Sequence, residues 1–207
     1  MVIIHHLERS RSDRIIWLCE ELSIDYEIVQ HQRDPDTMRA PETLWAVNPL
    51  GKSPVIEHQG QVVFESGAII EYLLSAFDSD SLRPSLGTKA YIDYLQWLHA
   101  PEATMTLPIL MPMLCHAMGI ESELIPLFAD SETQTLYRYI EAELTQRDYI
   151  AGDNFSAADI MLSYTLMMAQ SLAASGPDTV FASYPSIKAY LARLKSREAY
   201  QAASVKF

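Results

Sequence analysis

Cysteine is scarce in this chain of 207 residues, which contains only Cys19 and Cys115. Two cysteines make neither the disulfide framework of a small secreted domain nor a zinc site. Free cysteine often behaves as a buried apolar side chain, and both residues have apolar neighbours, so we expect two buried thiols. This cysteine usage favours a reducing compartment, and we expect a cytoplasmic protein.

Positive charge is also in short supply, because 15 Lys and Arg residues stand against 27 Asp and Glu residues, a formal net charge of −12. A surface that binds nucleic acid needs a basic excess, so we expect no nucleic-acid partner. Apolar residues make up 49% of the chain, which is enough to bury a core and indicates a folded protein.

Long apolar runs are missing as well. The first apolar run ends at His5, which is too early for the hydrophobic region of a signal peptide. The most apolar stretch, 107–118, contains Pro108, Pro112 and His116 and is shorter than the ~20 residues of a membrane-spanning helix. We therefore expect no membrane partner.

What the sequence does contain is an alternation of short strand patterns and helix patterns up to residue 77, typical of an α/β domain. Ile15, Leu18, Cys19 and Leu22 follow the spacing of one helix face. The predicted elements are, in order, a strand at 2–4, a helix at 13–22, a strand at 26–30, a weaker helix at 41–47, a hairpin of strands at 54–58 and 61–65 around Gln59 and Gly60, and a helix from Ser66, its N-cap, to 77.

The second half of the chain reads as an all-α helical bundle, with apolar residues at helical spacing over 88–117, 122–147, 156–175 and 186–203. A polar stretch with proline and glycine at about 78–87 predicts a linker. We therefore expect an α/β domain at 1–79 and a helical domain at 87–207. Within the latter, Ser156 and Asp159 form a capping-box pattern, with Phe155 and Ile160 as its hydrophobic staple.

Three short segments of the first domain carry residues suited to binding an anionic or peptidic ligand. Ser10 precedes the first helix, whose N-terminus favours negative charge; the alternative is a capping or solvated serine. Ser53 precedes Pro54, and a cis bond there would leave the Ser53 backbone free to pair with an extended peptide; the alternative is an ordinary trans turn. Glu65 and Ser66 precede a helix and could receive an ammonium and a carboxylate; the alternative is a capped helix with an exposed glutamate.

Taken in order along nearly the whole chain, these features resemble the glutathione transferase family, in particular its serine-type, bacterial-like cytosolic members. The absence of a Cys-x-x-Cys motif at 10–13 speaks against the thiol-disulfide exchange of glutaredoxin-like relatives, and a serine stands before Pro54 where the family usually has an apolar residue. The segments that carry the resemblance are Ser10 to Arg14, Asn48 to Val55, Glu65 to Ile69, Phe155 to Asp159, and Tyr184 to Tyr200.

The resemblance implies a thioredoxin-like first domain that binds glutathione as co-substrate, a helical second domain that supplies most of the electrophile pocket, a homodimer, and no metal. Ser10 would contact the glutathione sulfur, Ser53 beside cis-Pro54 the cysteinyl backbone, Glu65 and Ser66 the γ-glutamyl group, and Lys52 the glycine carboxylate. Arg11, Met105 and Pro108 are weaker candidates for the electrophile pocket; a solvated arginine and core or dimer-facing residues are the alternatives.

The implied chemistry is activation of the glutathione thiol as a thiolate, the nucleophilic form. Ser12 competes with Ser10 for the contact with sulfur, but Arg14 lies four residues after Ser10, which matches the family spacing and leaves Ser12 to start the helix. The histidines His5, His6 and His31 need no catalytic role in this scheme. The alternatives are a non-catalytic binding or regulatory module of the same fold, and a glutathione-dependent peroxidase or isomerase.

Overall fold

The structure is a computed structural model that describes residues 1–77, 81–173 and 176–207. It divides into two compact units, one formed by Met1–Arg83 with Lys195–Phe207 and the other by Pro84–Leu194. The predicted domain end at residue 79 and the first part of the predicted linker, residues 78–80, lie outside the described residues, and 81–87 form turns and bends. Residues 195–207, which the sequence analysis grouped with the helical domain, belong to the first unit.

The first unit is built on a four-stranded mixed sheet in the order β2-β1-β3-β4. Strand β1 pairs in parallel with β2 and antiparallel with β3, and β3 forms an antiparallel hairpin with β4. This arrangement confirms the expected α/β domain. Its elements are β1 (Val2–Leu7), α1 (Asp13–Glu21), β2 (Tyr26–His31), α2 (Glu42–Val47), β3 (Val55–His58), β4 (Gln61–Phe64) and α3 (Ser66–Ala76).

Helix α1 buries the side chains that its sequence spacing placed on one face. Ile15, Leu18 and Cys19 are fully buried, because positions three and four apart meet on the same side of a helix. Burial raises the pKa of the Cys19 thiol to about 12, so this cysteine is an inert apolar residue at neutral pH. Cys115 is only half-buried, so the expectation of two buried thiols holds for Cys19 alone.

The remaining helices are α4 (Lys89–Ala100), α5 (Thr106–Ala117), α6 (Leu124–Gln146), α7 (Ala157–Leu172), α8 (Pro185–Lys195) and α9 (Glu198–Ser204). Two predicted helices are interrupted. A π-helical turn, Pro101–Met105, separates α4 from α5, since Pro101 has no backbone N–H for the α-helical ladder. A break at 196–197 separates α8 from α9. Of the helices in the described parts of the chain, none has the length and apolar character that a bilayer crossing requires.

The start of α7 confirms the predicted capping box. The fully buried Asp159 carboxylate accepts hydrogen bonds from the Ser156 backbone N–H at 2.8 Å and the Ser156 hydroxyl at 3.0 Å. It also accepts the Ile150 N–H at 2.8 Å and the Tyr190 hydroxyl at 2.9 Å. Burial raises the pKa of Asp159, and these four donors oppose that shift. The carboxylate therefore connects the start of α7 to the preceding loop and to α8.

Candidate functional site

The loop between β1 and α1 places Ser10 beside Ser53, which is 43 residues away in sequence. The Ser10 hydroxyl lies 3.3 Å from the Ser53 Oγ and 2.7 Å from the Ser12 Oγ. Ser10 is 7% exposed, whereas Ser12 is fully buried. Both serines are buried, and of the two only Ser10 keeps a small exposed fraction.

Ser12 has a role that the sequence analysis missed. It occupies the N-cap position of α1, but its side chain makes no capping hydrogen bond; its hydroxyl lies 2.8 Å from the His6 Nδ1 instead. A sequence signal for this contact exists. Side chains alternate across a strand, so His6 shares the face of Ile4 and Val2, and all three are buried. A buried imidazole needs a polar partner, and the serines just after β1 are the nearest.

Asp13, the first residue of α1, lies beside this buried polar cluster and is itself partly exposed. Its Oδ1 has no hydrogen-bond partner among the described residues and lies 3.7 Å from the His6 Nδ1. Burial is the main reason that the pKa of Asp13 rises from 3.8 to about 7, while its backbone hydrogen bond and Arg14 act in the opposite direction. The carboxylate is therefore costly to ionise inside the fold.

We expect Asp13→Asn to stabilise the protein above pH 7 and to have less effect in acid. Between pH 3.8 and about 7 the folded state binds more protons at Asp13 than the unfolded state, so the free energy of unfolding falls as the pH rises through this range. Removing the charge should add about 1–2 kcal/mol in mildly alkaline buffer, as for other poorly paired buried groups. Urea unfolding at several pH values measures the difference. The control is Asp25→Asn on an exposed loop, and an equal gain for both variants, or a gain only in acid, would contradict the prediction.

The segment before β3 is held by its own side chains. The Asn48 amide donates to the Lys52 carbonyl at 3.2 Å, and its Oδ1 accepts the Leu50 N–H at 3.2 Å. Gly51 has a φ of 58°, and a Cβ there would come within 2.3 Å of the Trp45 side chain, so glycine suits this position on two grounds.

The Ser53–Pro54 peptide bond is cis, which decides between the two alternatives left by the sequence. Pro54 comes directly before β3, where its missing N–H removes no ladder hydrogen bond. The Ser53 hydroxyl donates to the His5 carbonyl at 3.0 Å. This bond ties the loop to the middle of the sheet and positions Ser53 next to Ser10.

Glu65 and Ser66 stand at the N-terminus of α3, which begins one residue earlier than predicted. The helix begins at Ser66, and Glu65 takes the cap position without a side-chain capping bond, so Ser66 is not the N-cap. Glu65 is exposed and has φ 71° and ψ 123°, a strained conformation for a non-glycine residue that is found most often at functional sites. Ser66 is buried at the first turn, where helix N–H groups lack intrahelical partners.

The other candidate residues lie in different parts of the chain. Lys52 is exposed on the loop before Ser53, and Arg11 is half-buried directly after Ser10. Met105 and Pro108 belong to the second unit, in the π-helical turn and in α5, and both are buried. The burial of Met105 and Pro108 fits the alternative that they are core residues.

The chain matches two family models, those of the glutathione S-transferase N-terminal domain over residues 9–76 and of the glutathione S-transferase C-terminal domain over residues 104–198. It is 33% identical over 189 residues to glutathione S-transferase 3 of Schizosaccharomyces pombe, an alignment that covers 82% of this chain and 75% of that protein. The chain belongs to the glutathione S-transferase family.

Solved structures of transferases agree with this assignment. A glutathione S-transferase from Actinobacillus pleuropneumoniae superposes with a TM-score of 0.87 at 32% identity, covering 100% of this chain and 92% of that one. A glutathione S-transferase from Methylobacillus flagellatus, solved with GSH bound, superposes with a TM-score of 0.83 at 20% identity, covers 98% of each chain, and shows the shared fold. Relatives named as transferases support an enzyme of this family over the non-catalytic module.

Proposed function

We propose that this transferase binds glutathione along the surface formed by Ser10, the 52–54 loop and the N-terminus of α3, and activates its thiol as a thiolate that attacks a small hydrophobic electrophile. The observation that carries the proposal is the meeting of the Ser10 hydroxyl with Ser53 at 3.3 Å, just before α1. This contact brings together Ser10, which the family resemblance places at the glutathione sulfur, and Ser53, which it places at the cysteinyl backbone. The glutathione-bound relative from Methylobacillus flagellatus supports the choice of ligand.

Each part of glutathione then has a partner of suitable chemistry. The ammonium of the γ-glutamyl unit pairs with the exposed Glu65 carboxylate. The carboxylate of the same unit binds Ser66 and the first N–H groups of α3, where the helix dipole is positive. The Ser53 backbone pairs with the cysteinyl unit as an added strand would. Lys52 meets the glycine carboxylate.

The chemical step requires only a modest electrostatic effect. A free thiol has a pKa of ~8.5 and is a few per cent thiolate at neutral pH. Lowering the pKa by about two units needs ~2.7 kcal/mol, which a charge-assisted hydrogen bond from Ser10 and the N-terminus of α1 can supply. The thiol proton passes to solvent. The sulfur lone pair then forms the new bond to the electrophilic carbon, while the bond from that carbon to the displaced group breaks and its electron pair departs with that group as an anion. No metal takes part.

For the electrophile, the proposal keeps Arg11, which stands next to Ser10 in the first unit. Met105 and Pro108 are buried in the second unit and are proposed as core residues there. The proposal also includes a homodimeric, cytoplasmic enzyme of detoxification, the usual setting of the family.

Glutathione titration by calorimetry tests the proposed site. We expect Glu65→Gln to weaken binding by about 10-fold or more, because a hydrogen bond to a charged group contributes roughly 1.5–3 kcal/mol. The matched control is Glu27→Gln, an exposed glutamate on β2 at the opposite edge of the sheet, which should bind glutathione as the unmodified protein does. Absence of glutathione binding by the unmodified protein, or equal binding by the two variants, would refute the site.

A further inference from the structure

The Ser10 hydroxyl is one member of a chain of polar groups that runs inward from the surface. The His6 Nδ1 lies 2.8 Å from the Ser12 Oγ, which lies 2.7 Å from the Ser10 Oγ. The Ser10 Oγ in turn lies 3.3 Å from the Ser53 Oγ, and Ser53 donates to the His5 carbonyl at 3.0 Å. His6, Ser12 and Ser10 are all buried. The proposed function uses only Ser10 and Ser53 from this chain.

The number of hydroxyl protons decides in which direction these hydrogen bonds run. Each serine hydroxyl has one proton to donate. The Ser53 proton is used on the His5 carbonyl, so the Ser53 Oγ accepts the proton of Ser10 in this structure. When glutathione binds, Ser10 turns that proton from Ser53 to the sulfur. If Ser10 donated to Ser12, it would have no proton left for a sulfur atom. A thiolate can therefore receive the Ser10 proton only when the short contact between the two hydroxyls runs from Ser12 to Ser10.

The same count then determines the state of the histidine. Once the Ser12 proton is used on Ser10, the 2.8 Å contact between Ser12 and the His6 Nδ1 needs a hydrogen on that nitrogen. We propose that His6 is a positioning residue that carries its proton on Nδ1 and donates it to Ser12, so that Ser12 donates to Ser10 and Ser10 donates to the glutathione sulfur. This inference rests on the proposed function, because it takes Ser10 as the group that meets the sulfur.

Two further contacts favour this direction. The Asp13 Oδ1, an acceptor with no hydrogen bond among the described residues, lies 3.7 Å from the His6 Nδ1 and favours a proton there. The Ser12 backbone N–H also donates to the Ser10 Oγ, at 3.3 Å. With this N–H and the Ser12 hydroxyl as donors, both acceptor positions of the Ser10 oxygen are occupied. Its own proton is left for a third group, which is Ser53 in this structure and the sulfur in the glutathione complex.

The ring of His6 needs no positive charge for this role. Burial lowers its pKa, His31 adds to that effect, and Glu8 opposes it. A neutral imidazole has one N–H and one bare nitrogen, and the hydrogen bonds around the ring decide which is which. A chain of hydrogen bonds polarises its members, so His6 and Ser12 should make Ser10 a stronger donor.

The tautomer is measured directly by nitrogen NMR of the unmodified protein with labelled histidine and saturating glutathione. The expected spectrum shows the His6 proton on Nδ1 and a bare Nε2. A neutral ring with its proton on Nε2 in the glutathione complex would overturn the inference, whatever the behaviour of any variant.

Variants test the effect on the thiol. We expect Ser12→Ala to raise the pKa of the bound glutathione thiol by about one unit, which lowers the thiolate fraction at pH 7 about threefold from a starting pKa of about 6.5, with little change in glutathione affinity. Ser12→Thr keeps the hydroxyl and should keep the low pKa. His6→Asn, whose amide nitrogen takes the place of Nδ1, should preserve more thiolate than His6→Gln. Thiolate absorbance against pH gives the pKa, and calorimetry gives the affinity.

The variants also separate this inference from the proposed function. If Ser10→Ala leaves the thiol pKa unchanged, the proposed function fails and this inference fails with it. If Ser10→Ala raises the pKa but Ser12→Ala does not, Ser10 keeps its role and the positioning role of His6 and Ser12 is refuted.

Discussion

Ser10→Ala should lower kcat/KM at pH 7 by about 20- to 30-fold, the loss of thiolate when the pKa of the bound thiol rises by about two units from about 6.5. The Ser10 hydroxyl is the less buried end of the serine chain, and alanine leaves the sulfur without that donor. The pKa of the bound glutathione thiol should rise toward its free value of ~8.5. Glutathione affinity should fall much less, because the binding of the γ-glutamyl group and of the peptide backbone is retained.

The pH profile distinguishes this effect from a general loss of structure. The thiolate form increases with pH, so the activity of the Ser10→Ala variant should approach that of the unmodified enzyme in alkaline buffer and fall furthest behind below neutral pH. Steady-state kinetics with glutathione and an aromatic electrophile over a range of pH measure it. Ser204→Ala, an exposed serine of α9 in the same unit, is the control. A pH-independent loss in the Ser10 variant would show that the hydroxyl does not act on the thiol.

Asp159→Ala should lower the free energy of unfolding by about 3–5 kcal/mol, the cost of removing one partner from a buried charged network. The carboxylate of the fully buried Asp159 accepts four hydrogen bonds, from Ile150, Ser156 and Tyr190. Alanine leaves four buried donors without an acceptor. Asp159→Asn should cost nearly as much, because its amide nitrogen would face hydrogen-bond donors at one of the two oxygen positions.

Urea unfolding followed by circular dichroism measures this loss. The matched control is Asp153→Ala, an exposed aspartate six residues earlier in the loop before α7, which should change the free energy of unfolding by less than about 0.5 kcal/mol. A cost below about 1 kcal/mol for Asp159→Ala would mean that the four hydrogen bonds contribute little to the net stability. Where Asp159→Ala does not fold, Ser156→Ala removes only one donor and should cost about 1 kcal/mol.

Local pattern was enough to predict most of the secondary structure. Ile15, Leu18 and Cys19 lie on the buried face of α1 as their spacing requires. The turn at Gln59 and Gly60 joins β3 to β4. The capping box of Ser156 and Asp159 formed as its residue types predict. These features depend on residues within a few positions of one another, so the sequence contains what is needed to predict them.

Where local pattern was incomplete, element boundaries and side-chain partners differed from expectation. Pro101 interrupts a helix that apolar spacing alone extends to residue 117. Ser12 occupies a helix-cap position, but its hydroxyl bonds to His6. Pro101 lacks a backbone N–H, and the Ser12 hydroxyl has a choice between a capping bond and His6. The periodicity of apolar residues reports neither.

By itself, the sequence determined the order of strands and helices, the family, and the residue types available for a glutathione site. The tertiary structure alone decided that Ser10 lies beside Ser53, that Ser12 joins Ser10 to His6, and that 195–207 form part of the first unit. The physical reason is the range of the interactions. Periodicity reports which face of an element is buried, whereas a contact between residues 43 positions apart depends on how β1 and β3 pair in the sheet.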